Sequence, residues 1–231
     1  MHWKRTEARP KTLLESIDAL IEEYHLLKHP LYQEWIEGRL DRETLQLYAE
    51  QYYQHVRAFP DNLKQLAGRS QSPLAEVVEE NLADEENPHA PRPVLWRQFA
   101  ESVGVSQEVL ETARPLPGIA ALLDTFDEVS LHGSLVEAVA AFYAYEAQVP
   151  EISRRKISSL RRFYNVTDPQ ALAYFEVHEE ADVRHRAAWR SWLASQATSD
   201  NLGVLLSAER SLKALWGALD AVYSKASSAA N

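Results

Sequence analysis

The segment from residue 168 to 195 constrains the fold of this chain most strongly, because it reads as one long helix with ionisable groups on its inner face. It opens with an N-cap aspartate, followed by a proline that suits the first helical position. At about 100° per residue, His178, Asp182 and His185 project within an arc of roughly 60°. Apolar side chains share that arc or its edges: Ala171, Phe175, Ala181, Trp189 and Trp192. The helix therefore aims two imidazoles and a carboxylate at the protein interior, which is costly unless something there binds them.

The composition favours a single helical domain. The chain has 231 residues, of which 45% are hydrophobic and 25% are charged, as in ordinary globular proteins. Its seven glycines allow few of the tight turns that a many-stranded sheet requires. We therefore predict one all-α domain over residues 1–231, a helical bundle with frayed termini at 1–10 and 226–231. The absence of cysteine excludes disulfides, thiolate metal ligands and a cysteine nucleophile.

Charge and hydropathy argue against two classes of partner. A formal net charge of -10 disfavours non-specific binding to nucleic acid. No apolar run approaches the length of a membrane span, and the residues after Met1 lack the apolar core of a signal peptide. We expect a cytoplasmic protein that binds neither nucleic acid nor membrane.

Helical periodicity also recurs along the rest of the chain, and no strand pattern is credible. The predicted helices cover residues 12–27, 31–37, 41–66, 73–87, 94–103, 107–113, 119–129, 134–164 and 201–224. We expect Asp41 to cap the 41–66 helix, and Ser134 and Glu137 form a capping box at the start of the 134–164 helix. We expect Pro60 to bend its helix. We also expect Pro150 to kink the 134–164 helix beside Glu146, because proline cannot donate a hydrogen bond to the carbonyl four residues earlier.

Two further helices place a carboxylate within an apolar stripe. Glu85 continues a stripe of apolar residues at helical spacing, with His89 one turn further on, and Glu146 projects into the middle of another stripe. Any one of these acids alone could be an ordinary capped or salt-bridged residue. If Glu85, Glu146 and Asp182 were all ordinary residues of this kind, three carboxylates would lie inside a helical core without visible basic partners. Buried acids are normally paired, neutralised or bound to metal.

The same residues have the ligand chemistry of a metal centre. Three carboxylates and three imidazoles would offer enough ligands for two divalent cations, and nitrogen and oxygen ligation without sulfur fits iron, manganese or zinc. Ferritin-like proteins carry a Glu-x-x-His motif on two helices, and the candidate ligands of this chain do not form that motif, so the closer analogue is another helical scaffold that binds two metals.

Several stretches of the chain resemble a known protein family. They include Asp84 to Asn87, Tyr145 to Pro150 and the run from Tyr174 to His185. These stretches are similar to the chlamydial protein associating with death domains and its bacterial relatives, which are related to the PQQ-synthesis protein C. The resemblance covers nearly the whole chain. It implies a heme-oxygenase-like helical bundle and a non-heme oxidase with two metal ions, Fe/Fe or Fe/Mn, that uses O2 and a reductant. Such enzymes make 4-aminobenzoate for folate synthesis from their own tyrosine, so each chain turns over once.

The resemblance also assigns residues to roles. It implies metal ligands at Glu85, Glu146, His178, Asp182 and His185, a consumed tyrosine at Tyr32, an amino-donating lysine at Lys156, and further site tyrosines at Tyr48 and Tyr174. The family's histidine after the Asp-Glu-Glu-Asn stretch falls on Arg92 in this chain. Either His89 substitutes for it from one turn away, or one metal ion lacks a protein ligand.

Two other functions remain compatible with the sequence. The first is oxidation of a separate small molecule at the same metal centre, with Tyr32 merely packing in the core. The second is a non-enzymatic helical protein that binds a partner, although no partner motif is recognisable. For the leading reading we expect O2 as a partner, no external organic substrate, and a homodimer.

Overall fold

The computed structural model describes residues 12–196 and 201–229, and all regular structure in these residues is helical. The helices are α1 (Leu13–Glu23), α2 (Pro30–Ile36), α3 (Arg42–Arg69), α4 (Leu74–Glu85), α5 (Arg92–Ser102), α6 (Gln107–Thr112), α7 (Pro117–Leu131), α8 (Leu135–Glu146), α9 (Val149–Phe163), α10 (Pro169–Ser195) and α11 (Asn201–Ala229), with a 3₁₀ helix at Leu26–Lys28. The all-α prediction is confirmed.

Three of the helices that contribute residues to the buried clusters begin at the predicted caps. Asp41 accepts a hydrogen bond from the backbone N–H of Thr44 at 2.7 Å and starts α3. Ser134 and Glu137 form both halves of a capping box at the start of α8. Asp168 caps α10 through a backbone N–H in its first turn. Each such cap contributes about 1 kcal/mol, so local chemistry sets the start of three helices that contribute to the site.

The two internal prolines behave differently. Pro60 does not end α3, which continues as one helix to residue 69 with buried residues on both sides of the proline. Pro150 lies at a complete break, because α8 ends at Glu146 and α9 begins at Val149. Gln148 stabilises this break: its side-chain Nε2 donates to the carbonyl of Ala144 at 3.0 Å. Its Oε1 accepts from a backbone N–H of the 3₁₀ helix at 2.8 Å. The kink predicted beside Glu146 is therefore a full helix boundary.

The packing arrangement encloses the inner face of α10. This helix contacts α4, α5, α8 and α9, while α3 packs on α5 and α7, and α11 packs on α7 and α8. The close approach of α7 and α11 requires a glycine, since a Cβ at Gly118 would lie 2.3 Å from the carbonyl oxygen of Gly217. Among the described residues, no helix combines the length and apolar composition needed to cross a membrane. The inner face of α10 thus lies where four helices converge.

The two ends of the chain that were predicted to fray are described only in part. Residues 1–10, expected to be frayed, lie outside the described residues, as do 230 and 231. Residues 226–229 continue α11 as helix. Two serine hydroxyls there donate to carbonyls four residues earlier, from Ser227 at 2.9 Å and from Ser228 at 2.5 Å. The fraying of both ends stays a prediction.

Candidate metal centre

Three side chains from two helices converge on one point inside the bundle. Glu146, Asp182 and His185 each offer one donor atom, and these atoms lie within 4.8 Å of one another. Nδ1 of His185 is 3.3 Å from Oδ1 of Asp182 and 3.9 Å from Oε2 of Glu146. All three residues are buried, and neither Oδ2 of Asp182 nor Nδ1 of His185 has a hydrogen-bond partner among the described residues. Buried polar atoms without partners are rare and costly, so this donor set fits a divalent cation.

A second pair of ligand-type residues lies beside the first three. Oε1 of Glu85, at the end of α4, is 3.7 Å from Nε2 of His178. Nδ1 of His178 is 2.7 Å from the carbonyl oxygen of Tyr174, to which it donates. That hydrogen bond leaves Nε2 with its lone pair directed toward the carboxylate, as in histidines that bind metals. The structure therefore brings Glu85 and His178 to the same cluster as the first three residues.

His89 does not reach this cluster. Helix α4 ends at Glu85, so the helical spacing that placed His89 one turn further along the same stripe does not apply. The His89 side chain is exposed, and its backbone N–H donates to Oδ1 of Asn87 at 3.0 Å. Arg92, in the first turn of α5, is buried instead, with Nε 3.8 Å from Oε1 of Glu85. The structure therefore does not bring His89 to the cluster, and Arg92 occupies the buried place beside Glu85.

Side chains that the sequence did not single out orient the central acid. Glu146 accepts a hydrogen bond from Nδ2 of Asn81 at 2.8 Å and another from Nε1 of Trp189 at 2.7 Å. Asn81 lies one turn before Glu85 on α4, so helical spacing would have placed it on the same stripe. Trp189 was placed on the inner arc of α10 as a packing residue only. Both donors hold the Glu146 carboxylate in one orientation.

His185 is oriented in a similar way by an acid outside the cluster. Nε2 of His185 donates to Oδ2 of Asp84 at 2.9 Å, which leaves the Nδ1 lone pair facing Asp182 and Glu146. The same Asp84 oxygen accepts from Arg184 at 3.0 Å. A carboxylate on the outer nitrogen of a ligand histidine is the usual arrangement at metal sites.

Burial sets the protonation of these groups. It raises the pKa of Glu85 to about 8, an effect that Arg92 opposes and Asp182 adds to. It also raises the pKa of Glu146 to about 8 and that of Asp182 well above its usual range. Burial, assisted by Arg92, lowers the pKa of His178 to about 3. Burial therefore favours the protonated form of these acids, and a cation that binds them would have to displace protons.

A second buried cluster contains no acid. Nζ of Lys156, on α9, donates to the hydroxyl of Tyr32 at 2.9 Å and to that of Tyr48 at 2.8 Å. The two hydroxyls share a hydrogen bond at 2.8 Å. Burial lowers the pKa of Lys156 well below its usual range and raises the pKa of both tyrosines. The structure thus brings together the tyrosine and the lysine that the resemblance singled out.

Aromatic rings connect the two clusters. The ring of His178 lies 4.2 Å from that of Tyr174, between centroids, and Tyr174 lies 4.7 Å from Trp96. Trp96 is 5.9 Å from Tyr48, whose ring is 5.8 Å from that of Tyr32. The candidate metal ligands and Tyr32 are therefore joined by rings in contact with one another.

The free space in both clusters is small. One cavity of about 10 Å³ is lined by residues of the acidic cluster, and one of about 20 Å³ is lined by residues that include Tyr32, Tyr48 and Lys156. Tyr145 and Tyr174 line both cavities. A cavity of this size holds about one water molecule, whereas pockets for drug-sized molecules measure about 300–1,000 Å³.

A helical bundle that encloses carboxylates and imidazoles on facing helices is an architecture of non-heme metal oxidoreductases. Residues 46–216 match the family described as "Iron-containing redox enzyme". The 4-aminobenzoate synthase of Chlamydia muridarum is 38% identical over 208 residues, which cover 90% of this chain and 88% of that protein. The 4-aminobenzoate synthase of Nitrosomonas europaea is 34% identical over 226 residues, covering 92% and 91%.

A solved structure shows the same fold at low sequence identity. A domain from Shewanella denitrificans described as having a heme oxygenase-like fold superposes with a TM-score of 0.78 at 17% identity, covering 93% of this chain and 92% of that one. The predicted heme-oxygenase-like bundle is therefore confirmed. The chain belongs to the family of iron-containing redox enzymes.

Proposed function

We propose that this chain is a 4-aminobenzoate synthase that takes the ring of its product from its own Tyr32. Membership of an iron-containing redox family and the names of the two relatives support the reaction class. Lys156 supplies the amino group and O2 is the oxidant. Each chain is consumed in one turnover.

The contact between Lys156 and Tyr32 is the single observation that carries this proposal. In 4-aminobenzoate the nitrogen and the carboxyl carbon stand at opposite ends of the ring, as the phenol oxygen and Cβ do in tyrosine. Nζ of Lys156 lies 2.9 Å from the Tyr32 hydroxyl. The amine is therefore at the end of the ring where the product carries its nitrogen.

Burial prepares the amine for that role. The lowered pKa of Lys156 favours the neutral amine, whose lone pair is nucleophilic. Nζ also lies 4.1 Å from the centroid of the Tyr32 ring. The Tyr48 hydroxyl accepts from Nζ of Lys156 and shares a hydrogen bond with the Tyr32 hydroxyl, and so holds the amine and the ring in one arrangement. This geometry replaces the binding of two separate reactants.

The small cavities favour an internal substrate over an external one. A separate aromatic molecule would need many times the about 20 Å³ beside Lys156, whereas the Tyr32 ring already fills that place at 2% exposure. This supports self-consumption against the alternative in which a free small molecule is oxidised.

The residues around the acidic cavity would hold the metal. Glu146, Asp182 and His185 would bind one ion, and Glu85 with His178 would contribute to a second, as Fe/Fe or Fe/Mn. Iron bound there supplies one-electron oxidation with O2, given an external reductant. The chain's own residues exclude bulk water from both clusters and place aromatic rings between His178 and Tyr32. The proposal includes a cytoplasmic location and a homodimeric assembly, and both stay predictions.

Product release and loss of mass from the protein test the proposal together. Iron-loaded protein given O2 and a reductant should release 4-aminobenzoate labelled from ring-labelled tyrosine and lose side-chain mass at residue 32. Tyr32→Phe should release none while keeping its metal content. Tyr53→Phe is the matched control, because its hydroxyl bonds Glu111, away from both clusters. Wild-type yield from Tyr32→Phe would refute the assignment of this tyrosine.

A further inference from the structure

Arg92 places a permanent positive charge inside the acidic cluster. The residue is 4% exposed, and its Nε has no hydrogen-bond partner among the described residues. Its ion-pair partner is Glu85, with Nε 3.8 Å from Oε1. Arginine stays protonated even when buried, so its charge cannot be removed by loss of a proton. The guanidinium therefore acts as a cation built into the cluster: it lies against Glu85 and also lowers the pKa of Asp182, which burial raises.

The two halves of the cluster differ in what they offer a metal ion. The half formed by Glu146, Asp182 and His185 has three donors, and among the described residues its acids form no ion pair with an arginine or a lysine. The other half has two donors, and its single carboxylate is already paired with Arg92. An ion entering that half meets a like charge and fewer ligands.

We propose that Arg92 makes the two metal positions unequal, so that one divalent ion binds tightly at Glu146–Asp182–His185 and a second binds weakly at Glu85–His178. The second ion must compete with the guanidinium for the Glu85 carboxylate. This inference rests on the proposed metal-dependent function, and it goes beyond it by assigning an order of loading and the residue that sets it.

The position of Arg92 explains why the guanidinium stays in place. It stands in the first turn of α5, and α5 packs against α10. The side chain reaches inward from that turn, whereas His89 in the preceding turn is exposed. A weaker second position also gives a physical basis for two different metals in one centre, because the two sites differ in donor number and charge.

Anaerobic titration with Mn²⁺ alone tests the proposal without any turnover. Free Mn²⁺ is followed by EPR, and bound metal is counted by elemental analysis after equilibrium dialysis. Wild-type protein should bind one equivalent tightly and a second at least about tenfold more weakly. Arg92→His should tighten the second equivalent at least about tenfold and give the EPR spectrum of a spin-coupled pair, because an imidazole replaces the charge.

Two further variants separate the effect of removing the Arg92 charge from the effect of adding an imidazole ligand. Arg92→Gln removes the charge without adding a strong ligand, so the second equivalent should tighten less than in Arg92→His. Arg97→His changes an arginine on the same helix that pairs with Glu111 at the surface, and it should titrate like wild type. Thermal unfolding of each metal-free variant confirms that it is folded.

The outcomes distinguish this inference from the proposed function. Two equally tight equivalents in wild type would overturn it, as would an unchanged second equivalent in a folded Arg92→His. If no Mn²⁺ binds tightly to wild type, the metal site and this inference both fail. Unequal binding in a protein that makes no 4-aminobenzoate would uphold this inference and reject only the proposed function.

Discussion

The two buried clusters of this enzyme differ in whether their polar groups have hydrogen-bond partners. Around Tyr32, Tyr48 and Lys156, three polar groups satisfy one another through hydrogen bonds of 2.8 to 2.9 Å. In the acidic cluster, Asp182 and His185 each have a buried atom without a hydrogen-bond partner among the described residues. The polar groups of the first cluster are satisfied as the chain folds, whereas the second cluster keeps donor atoms that fit a cation.

That difference separates the roles of the two clusters. Groups that are already hydrogen-bonded hold a fixed geometry, which suits a reaction in which the protein's own ring and amine must meet. Unsatisfied buried carboxylates are costly, and binding a cation recovers that free energy. Changes in the acidic cluster should therefore alter metal affinity, and changes in the tyrosine–lysine cluster should not.

The largest effect on metal affinity is expected from Asp182→Asn. Replacing this carboxylate by an amide of similar size removes a ligand and its charge, so affinity for the first divalent ion should fall by more than about a hundredfold. The metal-free protein should be no less stable, because a buried acid with a raised pKa has been removed. Equilibrium dialysis and thermal unfolding measure the two quantities.

Asp61→Asn provides the control for this change. Asp61 lies on the exposed face of α3 beside Lys64, and its variant should bind metal like wild type. Undiminished affinity in Asp182→Asn would show that the acidic cluster is not the metal site.

The next largest effect on metal affinity is expected from a change of pH. The pKa of Glu85 and of Glu146 is raised to about 8, so both bind protons at lower pH and must lose them when a metal binds. Affinity should rise by about tenfold per pH unit near pH 6.5 and less steeply as the pH approaches 8, about fifteenfold in all over this range, if one proton is released per ion. His178 does not oppose this trend, because its pKa of about 3 keeps it neutral throughout.

Calorimetric titration in two buffers of different ionisation enthalpy counts the protons directly. Release should be about one proton or more per ion near pH 6.5 and should decline above about pH 9. Affinity that does not change with pH would mean that the acids are ionised before the metal arrives.

Local sequence patterns predicted the helix starts and the inward-facing side chains around both clusters. The N-caps at Asp41, Ser134 and Asp168 fix helix starts through hydrogen bonds within a few residues, and these were confirmed. The inward projection of Glu146 and of the α10 trio follows from a period of 3.6 residues, and the structure buries all four side chains.

The remaining features of the two clusters could not be predicted from local patterns, because they depend on contacts between distant segments. His89 was misplaced because a local projection continued α4 beyond its end at Glu85. The burial of Arg92 depends on how α5 packs against α10. Asp84 bonds His185 across the contact between α4 and α10, a partnership that no spacing within one helix reveals. The proximity of Tyr32 and Lys156 was implied by family resemblance alone, because they are 124 positions apart.

A smaller effect is expected from Asp84→Asn. The carboxylate of Asp84 accepts from Nε2 of His185 at 2.9 Å and orients the ring without facing the cavity. The amide is a weaker acceptor and can turn its NH₂ toward the ring, so metal affinity should fall by about tenfold. Glu80→Gln, which removes the other acid bonded to Arg184, is the matched control and should have no effect. A loss as large as that of Asp182→Asn would mean that Asp84 itself binds the metal.

The smallest effect on metal affinity, and the sharpest test of the comparison, is expected from Lys156→Met. The thioether chain fills a similar volume, and the hydroxyls of Tyr32 and Tyr48 keep their mutual hydrogen bond at 2.8 Å. Metal affinity should stay within about twofold of wild type, since Lys156 bonds no ligand residue. Release of 4-aminobenzoate should nevertheless fall to background, because the amine at the phenol oxygen is gone. Lys213→Met, which changes a surface lysine paired with Glu209, should leave both quantities unchanged. Weakened metal binding in Lys156→Met would show that the two clusters act as one site, and an undiminished product yield would show that the nitrogen comes from elsewhere.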